Sequence, residues 1–210
     1  RYVEKPSELH DPDLIVLPGT KSTISDLIWL REGGLEAAVK KAAAAGTPIF
    51  GICGGYQMLG TRVADPQQVE AAGVTEITGL ELLPMETVFA GQKVQRQTEG
   101  TFTNAPGLLS CLNGLSYAGY EIHMGRSTEA LPPVIGQGNV YGSYIHGIFD
   151  APGVADALLT ALAEKKGIDP KALGSFDREA YRQQQYDRLA DAVRGGLDME
   201  LVYRILNREV

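Results

Sequence analysis

What is scarce in this sequence excludes much. Two cysteines, Cys53 and Cys111, among 210 residues leave no disulfide framework and none of the paired Cys-x-x-Cys spacing that zinc prefers. A reducing, cytoplasmic setting is expected. Lysine and arginine total 19 against 26 aspartates and glutamates, a formal net charge of -7, whereas a nucleic-acid footprint needs a basic patch or stripe. No apolar run reaches the roughly 18 residues that a membrane span requires, and no basic-then-apolar leader opens the chain. Repeats, heptads and low-complexity tracts are missing too. The chain starts at Arg1 without methionine and enters an extended stretch almost at once, as a piece of a longer protein would.

What is present is a 44% hydrophobic composition, enough for one sizeable core. Asp13-Leu14-Ile15-Val16-Leu17, ended by Pro18-Gly19, reads as a strand buried on both faces of a parallel sheet. Thr23-x-x-Asp26 resembles a capping box opening a helix that Gly33-Gly34 stop. A second helix spans Leu35 to Ala45, and Pro48 to Ile52 is another buried strand, completing a βαβ unit. Residues 65–76 read as a polar surface excursion with some helix. Leu80 to Thr103 suits antiparallel strands, and Ala118 to Arg126 alternates strictly, with Tyr120, Ile122 and Met124 opposite Glu121 and His123. Val140 to Ile145 is a strand delivering His146. Helices follow over Val154 to Lys165, Asp177 to Arg194 and Asp198 to Arg208. The expected organisation is an α/β core over 1–150, an open and mostly parallel sheet flanked by helices. A helical extension over 151–210 is expected to pack on the same domain.

Gly51-Ile52-Cys53-Gly54-Gly55 falls between a buried strand and a helix expected to begin near Tyr56, which mounts the thiol on a sharp strand-to-helix turn. Glycines are needed there because side chains would crowd the flanking backbone. The helix N-terminus behind the cysteine is expected to lower its pKa. A free cysteine is more often a small buried hydrophobe, and Cys111 in Leu109-Ser110-Cys111-Leu112 keeps that reading; the flanking glycines remove Cys53 from it. A thiol attacking an acyl carbon needs a proton carrier. His10 lies in a polar segment, and His123 sits within an alternating strand. His146 ends a strand, where ligand sites of open α/β sheets lie, and is preferred over His123. The N–H groups of Gly54 and Gly19 are the candidate oxyanion donors, though spacing alone also allows Gly19 to be an ordinary turn glycine.

Gly51 to Gly60, with its Cys53-Gly54-Gly55-Tyr56-Gln57 run, resembles the nucleophile segment of the class I, triad-type glutamine amidotransferases, and in particular their cobyric acid synthase branch. Leu17 to Leu27, Gly119 to Arg126, Tyr144 to Asp150 and the tail near Tyr186 to Ala190 point the same way, so the resemblance spans nearly the whole chain. It implies a flavodoxin-like fold whose first strand is missing here. It also implies that Cys53 is the nucleophile, His146 the base and acid, and Gly19 and Gly54 the oxyanion hole. Gln57, four residues after the nucleophile, would help shape the glutamine pocket. Arg96 is a candidate for the glutamine α-carboxylate because arginine grips carboxylates in a fork, though a solvated strand charge explains it equally well. No cofactor is implied for this domain. A separate synthetase domain, N-terminal in the parent chain, would bind ATP and Mg²⁺ and amidate adenosylcobyrinic acid a,c-diamide, the corrinoid acceptor; no P-loop occurs here.

One departure matters. Many class I members place a glutamate two residues after the histidine, where this chain has Ile148. Asp150 or Glu121 substitutes, the missing domain supplies the group, or a dyad suffices. Two rivals remain at this stage: the glutaminase subunit that amidates the cell-wall precursor lipid II, which shares a Cys-Gly-Gly-Tyr-Gln segment, and a cysteine hydrolase without ammonia transfer.

Overall fold

In chain order the strands are β1 (Ile15–Leu17), β2 (Ile49–Ile52), β3 (Arg62–Ala64), β4 (Glu76–Thr78), β5 (Glu86–Thr101), β6 (Ser116–Ser127), β7 (Ile135–Gln137) and β8 (Val140–Ser143). The helices are α1 (Thr23–Glu32), α2 (Leu35–Ala44), α3 (Gly54–Met58), α4 (Val154–Lys165), α5 (Arg178–Gly196) and α6 (Met199–Leu206). The computed structural model describes residues 1–70, 73–127, 132–174 and 177–209.

The strands divide between two sheets. One has the order β1-β2-β8-β7, the other β4-β3-β5-β6. In the first, β1, β2 and β8 run parallel, with Leu17 opposite Gly51 and Gly51 opposite Gly142. Only β7 runs the other way. Every residue of β8 is buried, as are the first three of β2, which is why these strands are written as continuous apolar runs rather than as alternation. The second sheet is mixed and dominated by the long β5–β6 antiparallel ribbon, whose register shifts between Phe89 and Val94. Its β5 keeps an exposed face, so its sequence stays polar.

Helix α2 buries Leu35, Val39 and Ala43, one stripe at four-residue spacing, and Val39 and Ala43 join Ile15, Ile49, Tyr56 and Leu59 in one core cluster. A second cluster gathers Phe50, Phe102, Leu109, Ile145 and Ile148 with Val154, Leu158 and Leu162 of α4. Through those contacts α4 belongs to the first compact unit, residues 1–170, and the second unit is 171–210. In the second unit, α5 and α6 are each capped by an aspartate, Asp177 accepting from Ala180 N and Asp198 from Leu201 N.

Two local expectations change. The capping box at α1 does not form: Ser22 is the N-cap and makes no side-chain cap bond. Glu70 arrives from far along the chain and accepts from Thr23 N at 2.7 Å and Ile24 N at 3.1 Å. The 65–76 excursion carries no helix among its described residues, and its residues 71 and 72 lie outside them. Asp65 is fully buried there, its carboxylate accepting from Val69 N and Glu70 N at 2.8 Å each.

Candidate active site

Because β1, β2 and β8 are parallel neighbours, their carboxyl ends meet at one edge of the sheet, where ligand sites of such folds form. The chain leaves β1 into Pro18-Gly19-Thr20, leaves β2 into Cys53, and leaves β8 through Tyr144 and Ile145 into His146. Cys53 takes φ 50° and ψ -108°, a region that non-glycine residues enter at a cost of about 1–3 kcal/mol. This is the strained strand-to-helix turn expected of a nucleophile elbow. The turn closes because glycine follows: a Cβ on Gly55 would lie 2.1 Å from the Leu17 carbonyl oxygen. Helix α3 begins at Gly54 rather than near Tyr56.

Gly19 ties the three strand ends together. A Cβ there would meet His146 Cε1 at 2.7 Å, His146 Nδ1 at 3.5 Å and Cys53 Cβ at 3.5 Å, so the thiol-bearing carbon and the imidazole flank one small backbone position. The His146 ring is held by backbone pairing and by stacking. Its backbone bridges Tyr120 in both directions, at 2.8 and 3.1 Å, and the ring stacks on Tyr120 with centroids 4.9 Å apart and planes 6° from parallel. Its Nε2 is buried and has no hydrogen-bond partner.

The resting chemistry differs from the sequence expectation. Burial pushes the Cys53 thiol up to about 11, the Gly54 N–H opposes that, and the charges of Glu70 and Glu121 add to it. A five-residue helix does not outweigh the loss of water. Burial, and then the nearby His123, hold His146 below the usual imidazole range. The pair therefore rests as neutral thiol and neutral imidazole. The thiol donates to Ile122 O at 3.5 Å, not to the ring.

Gln57 is 2% exposed, and its amide is used by the protein. Its Oε1 accepts from Thr23 Oγ1 at 3.0 Å and its Nε2 donates to Tyr144 OH at 3.3 Å. Tyr144 OH pairs with Ser127 Oγ at 2.5 Å, which pairs with Thr87 Oγ1 at 2.6 Å. This buried chain joins α1, α3 and the end of β8 to the β5–β6 ribbon, with Gln57 holding Tyr144. Arg96 lies on β5 with its side chain 64% exposed, 2.9 Å from Glu121 Oε1. Glu121, one of the carboxylates weighed as the third member, is thereby committed to Arg96 and also faces His123. Glu70, Tyr120 and Tyr144 were not singled out from sequence. Only Tyr144 and Tyr120 carried a usable signal, an aromatic beside each proposed histidine contact.

A cavity of about 610 Å³ opens beside the pair, lined by Tyr56, Arg96, Glu121, His123, Arg126 and Tyr144 among others. Cys53 and His146 are not in its lining, and Cys53 is only 5% exposed. Cys111 sits in a short 3-10 turn, packed against the second core cluster, and burial raises its thiol pKa. No helix among the described residues is long and apolar enough to cross a membrane.

A family model described as a CobB/CobQ-like glutamine amidotransferase domain matches residues 1–154. The cobyric acid synthase of Lachnoclostridium phytofermentans is 48% identical over the whole of this chain, which covers 45% of that protein. Those of Ruminiclostridium cellulolyticum and Photorhabdus laumondii are 40% and 43% identical, over 100% and 98% of this chain and 44% of each relative. The chain thus spans less than half the length of these relatives. A crystal structure of a glutamine amidotransferase superposes with a TM-score of 0.51 at 20% identity, covering 77% of this chain and 85% of that one. Thermotoga maritima PurLQS gives 0.50 at 17%, covering 75% and 82%. Both share the fold.

Proposed function

The chain belongs to the CobB/CobQ-like glutamine amidotransferase family, and on that premise we propose that it is the glutaminase part of a cobyric acid synthase. Cys53 attacks the side-chain amide carbon of glutamine. Its proton passes to His146, whose unoccupied Nε2 can accept it, and the C–S bond forms as the carbonyl oxygen becomes an oxyanion. The N–H groups of Gly19 and Gly54 receive that oxyanion. His146 returns the proton to the departing nitrogen, ammonia leaves, and a γ-glutamyl thioester remains. Water, deprotonated by His146, releases glutamate and the thiol. Arg96 holds the α-carboxylate. Nothing in this cycle needs a metal or an organic cofactor.

The observation that carries the reading is the strained Cys53 turn with Gly19 and His146 against it at adjacent strand ends. The thiol donates to Ile122 O and burial raises its pKa to about 11, so hydrolysis in the isolated chain should be slow. The rest of the parent enzyme would bind ATP and Mg²⁺, activate carboxylates of the corrinoid acceptor adenosylcobyrinic acid a,c-diamide and consume the ammonia. ATP supply and two free cysteines suit a cytoplasmic location. The test is to incubate the chain with glutamine and with a simple ester and to measure ammonia and acid. Ammonia from glutamine supports the reading, and ester cleavage without ammonia contradicts it.

A further inference from the structure

The cavity beside the catalytic pair contains an unresolved polar conflict. His123 Nδ1 lies 2.7 Å from Gly125 O. A carbonyl oxygen only accepts, so Nδ1 carries the hydrogen, and with that single ring hydrogen Nε2 is a lone pair. That Nε2 is buried without a hydrogen-bond partner and faces Glu121 Oε2 at 3.5 Å, with side-chain exposures of 8% and 11%. The ring is pinned by stacking on Tyr144, centroids 3.9 Å apart, so it does not swing away. Two acceptors fixed toward each other out of water leave a gap that a donor satisfies. The hydroxyl of Tyr56, another lining residue, is likewise buried without a partner.

The other oxygen of Glu121 takes Arg96 at 2.9 Å. One cavity therefore sets a carboxylate and a lone pair next to a guanidinium. That arrangement is the complement of an ammonium and a carboxylate carried on one carbon, the head of an α-amino acid.

We infer that Glu121 and His123 bind the α-ammonium group of the glutamine substrate and make the site selective for an α-amino acid over its des-amino analogue. The inference rests on the glutaminase reading. Ile122, the residue between the two, accepts from the Cys53 thiol, so the head site flanks the β6 position that the nucleophile touches. A glutamine side chain spans about 4 Å from Cα to its amide carbon, close to the roughly 3.3 Å rise of one strand residue. Once the ammonium fills the gap, removing Glu121 loses a charge-assisted bond, while the loss of its charge beside the thiol acts on both reagents alike and leaves their ratio as the readout.

The experiment measures the rate at which Cys53 of the 210-residue chain is labelled by a diazoketone analogue of glutamine and by its counterpart lacking the α-ammonium, using mass spectrometry. Wild type should prefer the ammonium-bearing reagent by about 10- to 100-fold, the range of one charged hydrogen bond. Glu121→Gln should lose that preference, the rates for the two reagents converging, and His123→Phe, which keeps the stack on Tyr144, should lose part of it. Preference retained in Glu121→Gln overturns the inference, and so does an equal slowing of both reagents. Protection of Cys53 by ammonium chloride with no preference between the reagents assigns the donor to free ammonia and also overturns it. If Glu121→Gln does not fold by its thermal transition, Glu121→Asp replaces it and should retain a reduced preference; an undiminished one counts against the role. Wild type labelled by neither reagent faster than by iodoacetamide would instead sink the glutaminase reading itself.

Discussion

The carboxyl ends of β1, β2 and β8 and the β5–β6 ribbon meet around one site and are built in opposite ways. At the strand ends, backbone packs on backbone so closely that a single Cβ on Gly55 would lie 2.1 Å from a carbonyl oxygen, and Cys53 is held at a positive φ. On the ribbon, Arg96 is mostly exposed, and a Cβ on Gly91 would meet nothing nearer than Gln67 Oε1 at 3.7 Å. The contrast separates two tasks. In the proposed cycle bond making needs the backbone itself fixed, because Cys53, His146, Gly19 and Gly54 are set by main-chain positions. The exposed stretch of β5 around Gly91 has room for side chains to change, whereas on β6 a Cβ at Gly119 would lie 2.2 Å from His146 O, so the ribbon is open only away from the strand ends.

The sharpest way to test that division is Cys53→Ala. Glutamine hydrolysis should fall by at least about 10⁴-fold, whereas ammonia-dependent amidation in an enzyme carrying both halves should persist; loss of both would join the tasks that the geometry separates. Next in size is pH. The thiolate is the reactive form, and burial holds the thiol at about 11, so only about one molecule in ten thousand is ionised at pH 7. Iodoacetamide labelling of Cys53 should therefore climb about tenfold per pH unit through pH 10. A plateau near pH 8 or 9 would mean that the elbow lowers the pKa after all.

Gly55→Ala should cost about 3 kcal/mol or more in denaturant unfolding, as overpacking against rigid backbone does, and Gly91→Ala should stay within about 0.5 kcal/mol. Equal costs would erase the contrast. Between them lies Gln57→Leu, which breaks the buried chain from Thr23 to Thr87. A loss of about 1–3 kcal/mol is expected from the partners left unsatisfied, read from the same unfolding curves.

The strand-end half of this contrast was legible in the sequence because its constraints are local. Continuous apolar runs, a cysteine between glycines and a histidine at a strand end carry their meaning in adjacent residues, and β1, β2, β8, α2 and α4 follow the expected pattern closely. The ribbon half was not, since its meaning lies in pairings. That Arg96 stands opposite Glu121 is a matter of register across β5 and β6, and the bulge between Phe89 and Val94 hides that register from alternation. The cap on α1 went unseen for the same reason: Glu70 reaches Thr23 across 47 positions. The thiol pKa was misjudged because a turn motif reveals the helix end but not how deeply the fold buries it.

The central claim is that Cys53 and His146 act as one unit on glutamine. The most direct test is the release of ammonia from glutamine by the purified chain, measured alongside Cys53→Ala and His146→Ala. A slow release in the wild type that disappears in both variants is the predicted result. Ammonia release unchanged in either variant would contradict it.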